Sequence, residues 1–310
     1  MYFPYLRGRQ FELIALRELL EKRLIGDKIV PIIEPVKLTS TLVKTLNLYV
    51  EEKHKVALIM NPQVGNFVES VREKKEQGQE IVEEIYDDLK SECLIKAYLM
   101  KRNTSAKLIK RNDIDKLMIV NPNRDCMDEY LKVYGRIEPE FTLVPEDRTF
   151  CRKAPISKVL FMDRFPKEQR NSDYSKNEDR FYSEDHLFFD KEGFKGFSDY
   201  SIVGADYNES GFAPLAVAIH IVYFDEGKTL RVHHFVSDSN SDINDPAGKF
   251  GEALQKLIQW ISEANPYMTL GLKSFVECYR TGKYPGLGTV KKYSIMHHME
   301  LMSRFLEGEI

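Results

Sequence analysis

The chain has 310 residues, 43% of them apolar and 30% charged, with a formal net charge of −3. That composition is ordinary for a globular protein, and the length suits one large barrel or two modest domains. It offers no global attraction to nucleic acid, so any anion site must be local. Cys93, Cys126, Cys151 and Cys278 are scattered without a C-x-x-C pair, which argues against a disulfide framework or a thiolate zinc site and for reduced thiols in a cytosol.

Arg7 and Arg9 interrupt the opening MYFPYLRGRQ, and no stretch approaches the roughly 18 apolar residues of a membrane span. A cytoplasmic protein with no membrane contact is therefore expected. Tyr2–Leu6 reads as a first strand running into Arg7. Leu13, Leu16, Leu20 and Leu24 recur at helical spacing over Phe11–Leu24. Ile29–Ile33 is an unbroken apolar run, as in a strand buried on both faces, and leads into Glu34 and Pro35. Ser40 can cap a helix to about His54, and Val56–Met60 then runs into Asn61. The spacing of Ile81, Ile85 and Leu89 predicts one charged helix over Val71–Ser91. Leu94–Met100 ends at Lys101, and Leu117–Val120 ends at Asn121 before a helix over Cys126–Tyr134. Phe141–Val144 approaches Glu146, Val159–Met162 meets Asp163, and Ser201–Ala205 meets Asp206 as an eighth strand.

Strand–helix alternation of this kind predicts a parallel sheet with helices outside. The expected fold is α/β, a TIM-like (β/α) barrel over residues 1–207 with a β-hairpin and helical extension over 208–310; an open doubly wound sheet is the rival. Lys167–His186 has no apolar period and reads as a functional lid or a disordered segment. AVAIHIVYF and TLRVHHFV flank Asp225-Glu226-Gly227-Lys228, a hairpin signal. Helices follow over Pro246–Ala264 and roughly Val290–Leu306.

In a barrel all strand ends open on one face, which carries the chemistry. Glu34, Asp163 and Asp206 are the candidate catalytic carboxylates, acting as acid and base or holding a metal such as Mg²⁺. The alternative is that each caps a helix or pairs with a neighbouring Arg. Arg7, Lys101, Arg124 and Arg164, with Asn61 and Asn121, are the candidate ligand-binding residues, since guanidinium groups take phosphate bidentately; an Arg–carboxylate network is again the alternative. Glu34 should point to the mouth or into the barrel, within reach of Arg7, Lys101 or Arg164. The histidines have no zinc-site spacing, and SDSNSDIND (237–245) reads as turns and a helix cap rather than a calcium loop. Signatures of nucleotide-binding loops, dinucleotide folds and serine hydrolases do not occur.

Three segments taken together carry a resemblance: YFPYLRGRQFELIALREL with IVPIIEP, then FSDYSIVGADYNESG, then HFVSDSNSDINDPAGKF. They resemble the bacterial and phage beta protein family, and more closely a related bacterial group. The matched positions are Tyr2, Pro4, Leu6, Glu12, Pro31, Glu34, Asp199, Gly204 and Tyr207. The resemblance implies a barrel-like bacterial or mobile-element protein. It also implies a place beside a predicted nuclease, and hence a role in phage defence, but no reaction. Two functions remain open. One is binding of a phosphate-bearing ligand (a nucleotide or a nucleic-acid end) at the mouth, with metal-dependent phosphodiester or nucleotide hydrolysis if the protein is an enzyme. The other is a non-catalytic scaffold or regulator of the neighbouring nuclease.

Overall fold

In the computed structural model, residues 1–101, 103–108, 113–133, 138–154, 157–208 and 214–310 are described. Eleven strands are present among them: β1 Tyr5–Leu6, β2 Ile32–Ile33, β3 Val56–Ile59, β4 Leu94–Leu99, β5 Leu117–Val120, β6 Phe141–Val144, β7 Lys158–Phe161, β8 Asp179–Ser183, β9 Gly196–Ser198, β10 Ala218–Phe224 and β11 Leu230–Val236. Strands β1 to β7 and β9 pair in parallel, each with the next. The sheet closes where Tyr2 bridges Phe197, with Phe3 N donating to Phe197 O at 2.9 Å and Tyr5 N to Asp199 O at 2.8 Å. The fold is thus an eight-stranded (β/α) barrel, and the open-sheet rival is excluded.

Alternation along the strands sorts the apolar side chains by face. Phe3, Tyr5, Ile32, Ala57, Ile59, Ala97, Leu99, Met118, Val120, Leu143, Val159 and Phe161 fill the barrel. Tyr2, Leu6, Ile33, Val56 and Leu58 face outward onto the surrounding helices. Aromatic rings plug the interior, with Tyr5 5.4 Å from Phe161 and 5.0 Å from Tyr200 between centroids.

The eighth barrel strand is Gly196–Ser198 rather than Ser201–Ala205. The latter forms a turn: Ser201 has a left-handed φ of 51°, and its N–H donates to Asp199 Oδ1 at 2.7 Å. Closure needs backbone proximity more than apolar bulk, since a Cβ on Gly196 would lie 2.4 Å from Met1 O. The expected single helix over Val71–Ser91 is instead two, Phe67–Glu76 and Glu80–Asp88, broken where Gly78 takes φ 64°. The helix after β5 spans Met127–Val133; the expected end at Tyr134 lies outside the described residues.

The 167–186 segment carries a 3-10 helix over Asn171–Lys176 and then β8, which pairs antiparallel with β11. The expected hairpin forms from β10 and β11, so the second sheet runs β10-β11-β8. Strand β8 belongs to the chain between β7 and β9, which stitches this sheet to the barrel. Helices Pro246–Ala264 and Leu270–Thr281 back it. Asp245 caps the first of them by accepting from Gly248 N at 2.8 Å, as the turn-and-cap reading of 237–245 expected.

The last helix, Leu287–Glu307, is wedged between the barrel helix Gln10–Glu21 and β10. Ser294 to Ser303 are buried without interruption, so that stretch has no solvent face. Its adjacent histidines reach opposite neighbours. His297 Nε2 bonds Val222 O at 2.6 Å in the second sheet, while His298 Nδ1 meets Ser201 Oγ at 3.0 Å in the loop after β9.

Candidate functional site

Glu34 lies fully buried at the C-terminal end of β2 and forms an ion pair with Arg7, whose side chain is 12% exposed. Its carboxylate also accepts from Tyr5 Oη at 2.8 Å and from Gln63 N at 2.7 Å. Arg7 donates to Ala205 O at 2.5 Å and rests 5.3 Å from the Tyr5 centroid and 5.1 Å from that of Tyr200. The expected reach from Glu34 to Arg7 is therefore present. Burial and then Glu34 push the Tyr5 phenol well above its ordinary range. Burial opposes the charge on Arg7, and Glu34, Tyr5 and Tyr200 together outweigh it and raise the pKa.

The other expected site residues are held separately. Asp163 accepts from Phe165 N at 3.1 Å and Ala205 N at 2.7 Å, which shapes two loops. Asp206 lies beyond the turn after β9, 81% exposed, 3.4 Å from Lys167 Nζ. Arg164 forms a two-pronged pair with Asp185 at 2.8 and 2.7 Å and also meets Glu146 at 3.1 Å. Arg124, 65% exposed, sits 3.4 Å from Asp147. Asn61 exchanges two hydrogen bonds with the Leu99 backbone, and Asn121 donates to Leu143 O at 2.9 Å, so both tie neighbouring strands together. Lys101 is exposed beside Gln63, Asn123 and Glu129. Among the described residues no group of three or more His, Cys, Asp or Glu side chains is placed to hold a metal ion. Glu34, Asp163 and Asp206 thus do not form a Mg²⁺ set.

A different cavity, of about 330 Å³, opens above the loops that follow β7 and β9, the seventh and eighth barrel strands, and the second sheet and last helix cover it. Lys167, Glu168, Gln169, Asn171, Tyr174, His220, Lys291 and Ser294 supply its polar lining, the Glu168 carboxylate being paired with Arg180 at 2.7 Å. Lys291 is partly buried and makes no hydrogen bond or ion pair among the described residues. Its neighbour Lys292, by contrast, pairs with Glu18 at 2.7 Å. Burial lowers the Lys291 ammonium below its ordinary range; Arg9 and Lys167 add to this and Glu12 opposes it. His220 Nδ1 lies 2.8 Å from His234 Nδ1, and burial with that neighbour holds His220 neutral. Sequence reasoning missed Lys291. The one signal was a lysine pair in the first turns of the last helix, and it does not say which member stays unpaired.

Among the described residues no helix is long and apolar enough to cross a membrane. No protein-family model and no curated protein matches the chain. A solved structure that is similar, a GH18 chitinase from Pseudoalteromonas aurantia, covers 64% of this chain and 92% of its own, with a TM-score of 0.36 and 10% sequence identity. At that level no residue role passes across, and the barrel assignment rests on the strand pairing itself.

Proposed function

We propose that the protein binds a phosphate-bearing ligand in the cavity above the seventh and eighth barrel strands, with Lys291 and Lys167 as its cationic contacts. The observation that carries this reading is the Lys291 ammonium, which lines a cavity with no hydrogen bond or ion pair among the described residues and has only the longer-range attraction of Glu12 set against Arg9 and Lys167. A sequestered charge without a partner is costly, and a bound anion would offset that cost. The loops after the last two strands are a recurrent phosphate site in such barrels. Arg7 and Arg164 serve this purpose less well, because an anion there must displace a buried or largely buried carboxylate, whereas the partner of Lys167, Asp206, is 81% exposed and held at 3.4 Å.

Thermal unfolding with inorganic phosphate and a nucleotide panel tests the reading. A saturating ligand at about 100 times its Kd stabilises by about 2.7 kcal/mol, so Tm should rise with concentration in the wild type and much less in Lys291→Met. A flat response to every phosphate compound, or an equal rise in the variant, would overturn it.

The scaffold reading has one observation in its favour: Glu34, Asp163 and Asp206 are engaged in three separate structural contacts. In this reading the link to the beta protein family and the place in phage defence make a nuclease the partner. Co-purification with the neighbouring gene product that survives Lys291→Met would favour the scaffold over the ligand site.

A further inference from the structure

A second cavity, of about 300 Å³, lies between the β10–β11 turn, the C-terminal end of the helix Pro246–Ala264 with the residues up to Tyr267, and the last helix. Tyr223, Phe224, Trp260 and Tyr267 give it aromatic walls, and Asp225 and Glu226 border it. Tyr223 and Trp260 meet nearly edge to face, with centroids 5.1 Å apart and planes at 70°, so two walls stand across one corner. Asp225 Oδ1 is occupied by the turn, accepting from Gly227 N and Thr229 N at 2.9 Å each. Glu226 is exposed and has no hydrogen bond or ion pair among the described residues. The nearest titratable lining group on the last helix, His297, is kept neutral: burial lowers it to about 4.

We propose that this cavity is a binding site for an alkylated ammonium group. Aromatic faces attract a cation through their quadrupole, most strongly when the cation is weakly hydrated, and a nearby carboxylate adds long-range attraction. The chain already places an ammonium at the rim. Lys228 Nζ lies 5.0 Å from the Tyr267 centroid and 5.9 Å from that of Phe224, and donates to Tyr267 Oη at 2.8 Å. Lys228 is held there by a left-handed backbone with φ 62°, at a hairpin position where glycine or asparagine is the unstrained choice. Its side chain thus acts as an internal competitor that a methylated, less hydrated ammonium displaces. This site shares no residue with the anion cavity and stands independently of it.

Trp260 is the single tryptophan of the chain, so emission excited selectively at tryptophan comes from this wall of the cavity. Choline is the probe, and 3,3-dimethylbutan-1-ol is its uncharged isostere. Choline should change Trp260 emission saturably and the isostere should not. Binding should tighten in Lys228→Met, and should weaken roughly two- to five-fold in Glu226→Gln, a surface change that leaves the fold intact, and in Tyr267→Leu. No saturable change with choline in either the wild type or Lys228→Met would overturn the proposal. So would an equal response to the isostere, which would mark the cavity as merely apolar.

Discussion

Replacing Glu34 by Gln removes the charge from a carboxylate that is fully buried and bonded to Arg7, Tyr5 Oη and Gln63 N. The Gln63 amide keeps an acceptor, but the new NH₂ confronts the Arg7 guanidinium and the Tyr5 hydroxyl, donors facing a donor. Arg7 then keeps only Ala205 O and the faces of Tyr5 and Tyr200. Breaking a buried pair by removing one partner costs about 3–5 kcal/mol, because the remaining charge stays desolvated. Arg7 retains some exposure and two ring contacts, so we expect about 3 kcal/mol for Glu34→Gln. The double substitution Arg7→Met, Glu34→Leu removes both charges but leaves Tyr5 Oη and Gln63 N without their acceptor, so it should recover only part of the loss and stay about 1–3 kcal/mol below wild type. Urea unfolding of the wild type, Arg7→Met, Glu34→Leu and the double variant measures the coupling as a double-mutant cycle, with Glu34→Gln measured beside it. A cost below about 0.5 kcal/mol for Glu34→Gln, or strict additivity in the cycle, would refute the reading of Glu34 and Arg7 as a coupled buried pair.

Burial holds His234 and His297 at about 4 and His298 at about 3, each below the ordinary 6.5, so the unfolded chain takes up protons first and stability is lost as pH falls from about 6.5 toward 4. Shifts of this size correspond to up to roughly 3 kcal/mol for His234 and His297 and up to roughly 5 kcal/mol for His298. Asp199 acts oppositely: burial raises it from 3.8 to about 6, so its contribution is present in acid and lost as pH rises through that window. Tm should therefore fall between pH 7 and pH 5 and fall more steeply in Asp199→Asn; a flat profile, or an unchanged slope in the variant, would contradict this. Gly196→Ala should cost about 1–3 kcal/mol through overpacking against Met1 O where the barrel closes, measurable by thermal unfolding, and a neutral result would show that the closing strands can separate freely.

Seven barrel strands are legible in the sequence because a strand covered on both faces must be apolar along nearly its whole length, as VALI and LMIV are throughout and FTLV is apart from Thr142. Glu34 was legible for the complementary reason. A carboxylate ending such a run and held extended by Pro35 has to meet a cation, and Arg7 ends the neighbouring strand. The eighth strand left no such mark, since Gly-Phe-Ser closes the barrel by letting backbone approach Met1, while the more apolar Ser-Ile-Val-Gly-Ala beside it makes a turn. The 167–186 segment looked structureless because β8 is an edge strand with exposed Phe181, and its order comes from pairing with β11, some fifty residues later in the chain. Sequence alone thus determined the barrel and the level at which its charged residues gather. Only the tertiary structure decided which charges neutralise one another and which ammonium, Lys291, is left facing a cavity, because pairing depends on distances between loops that no local pattern encodes.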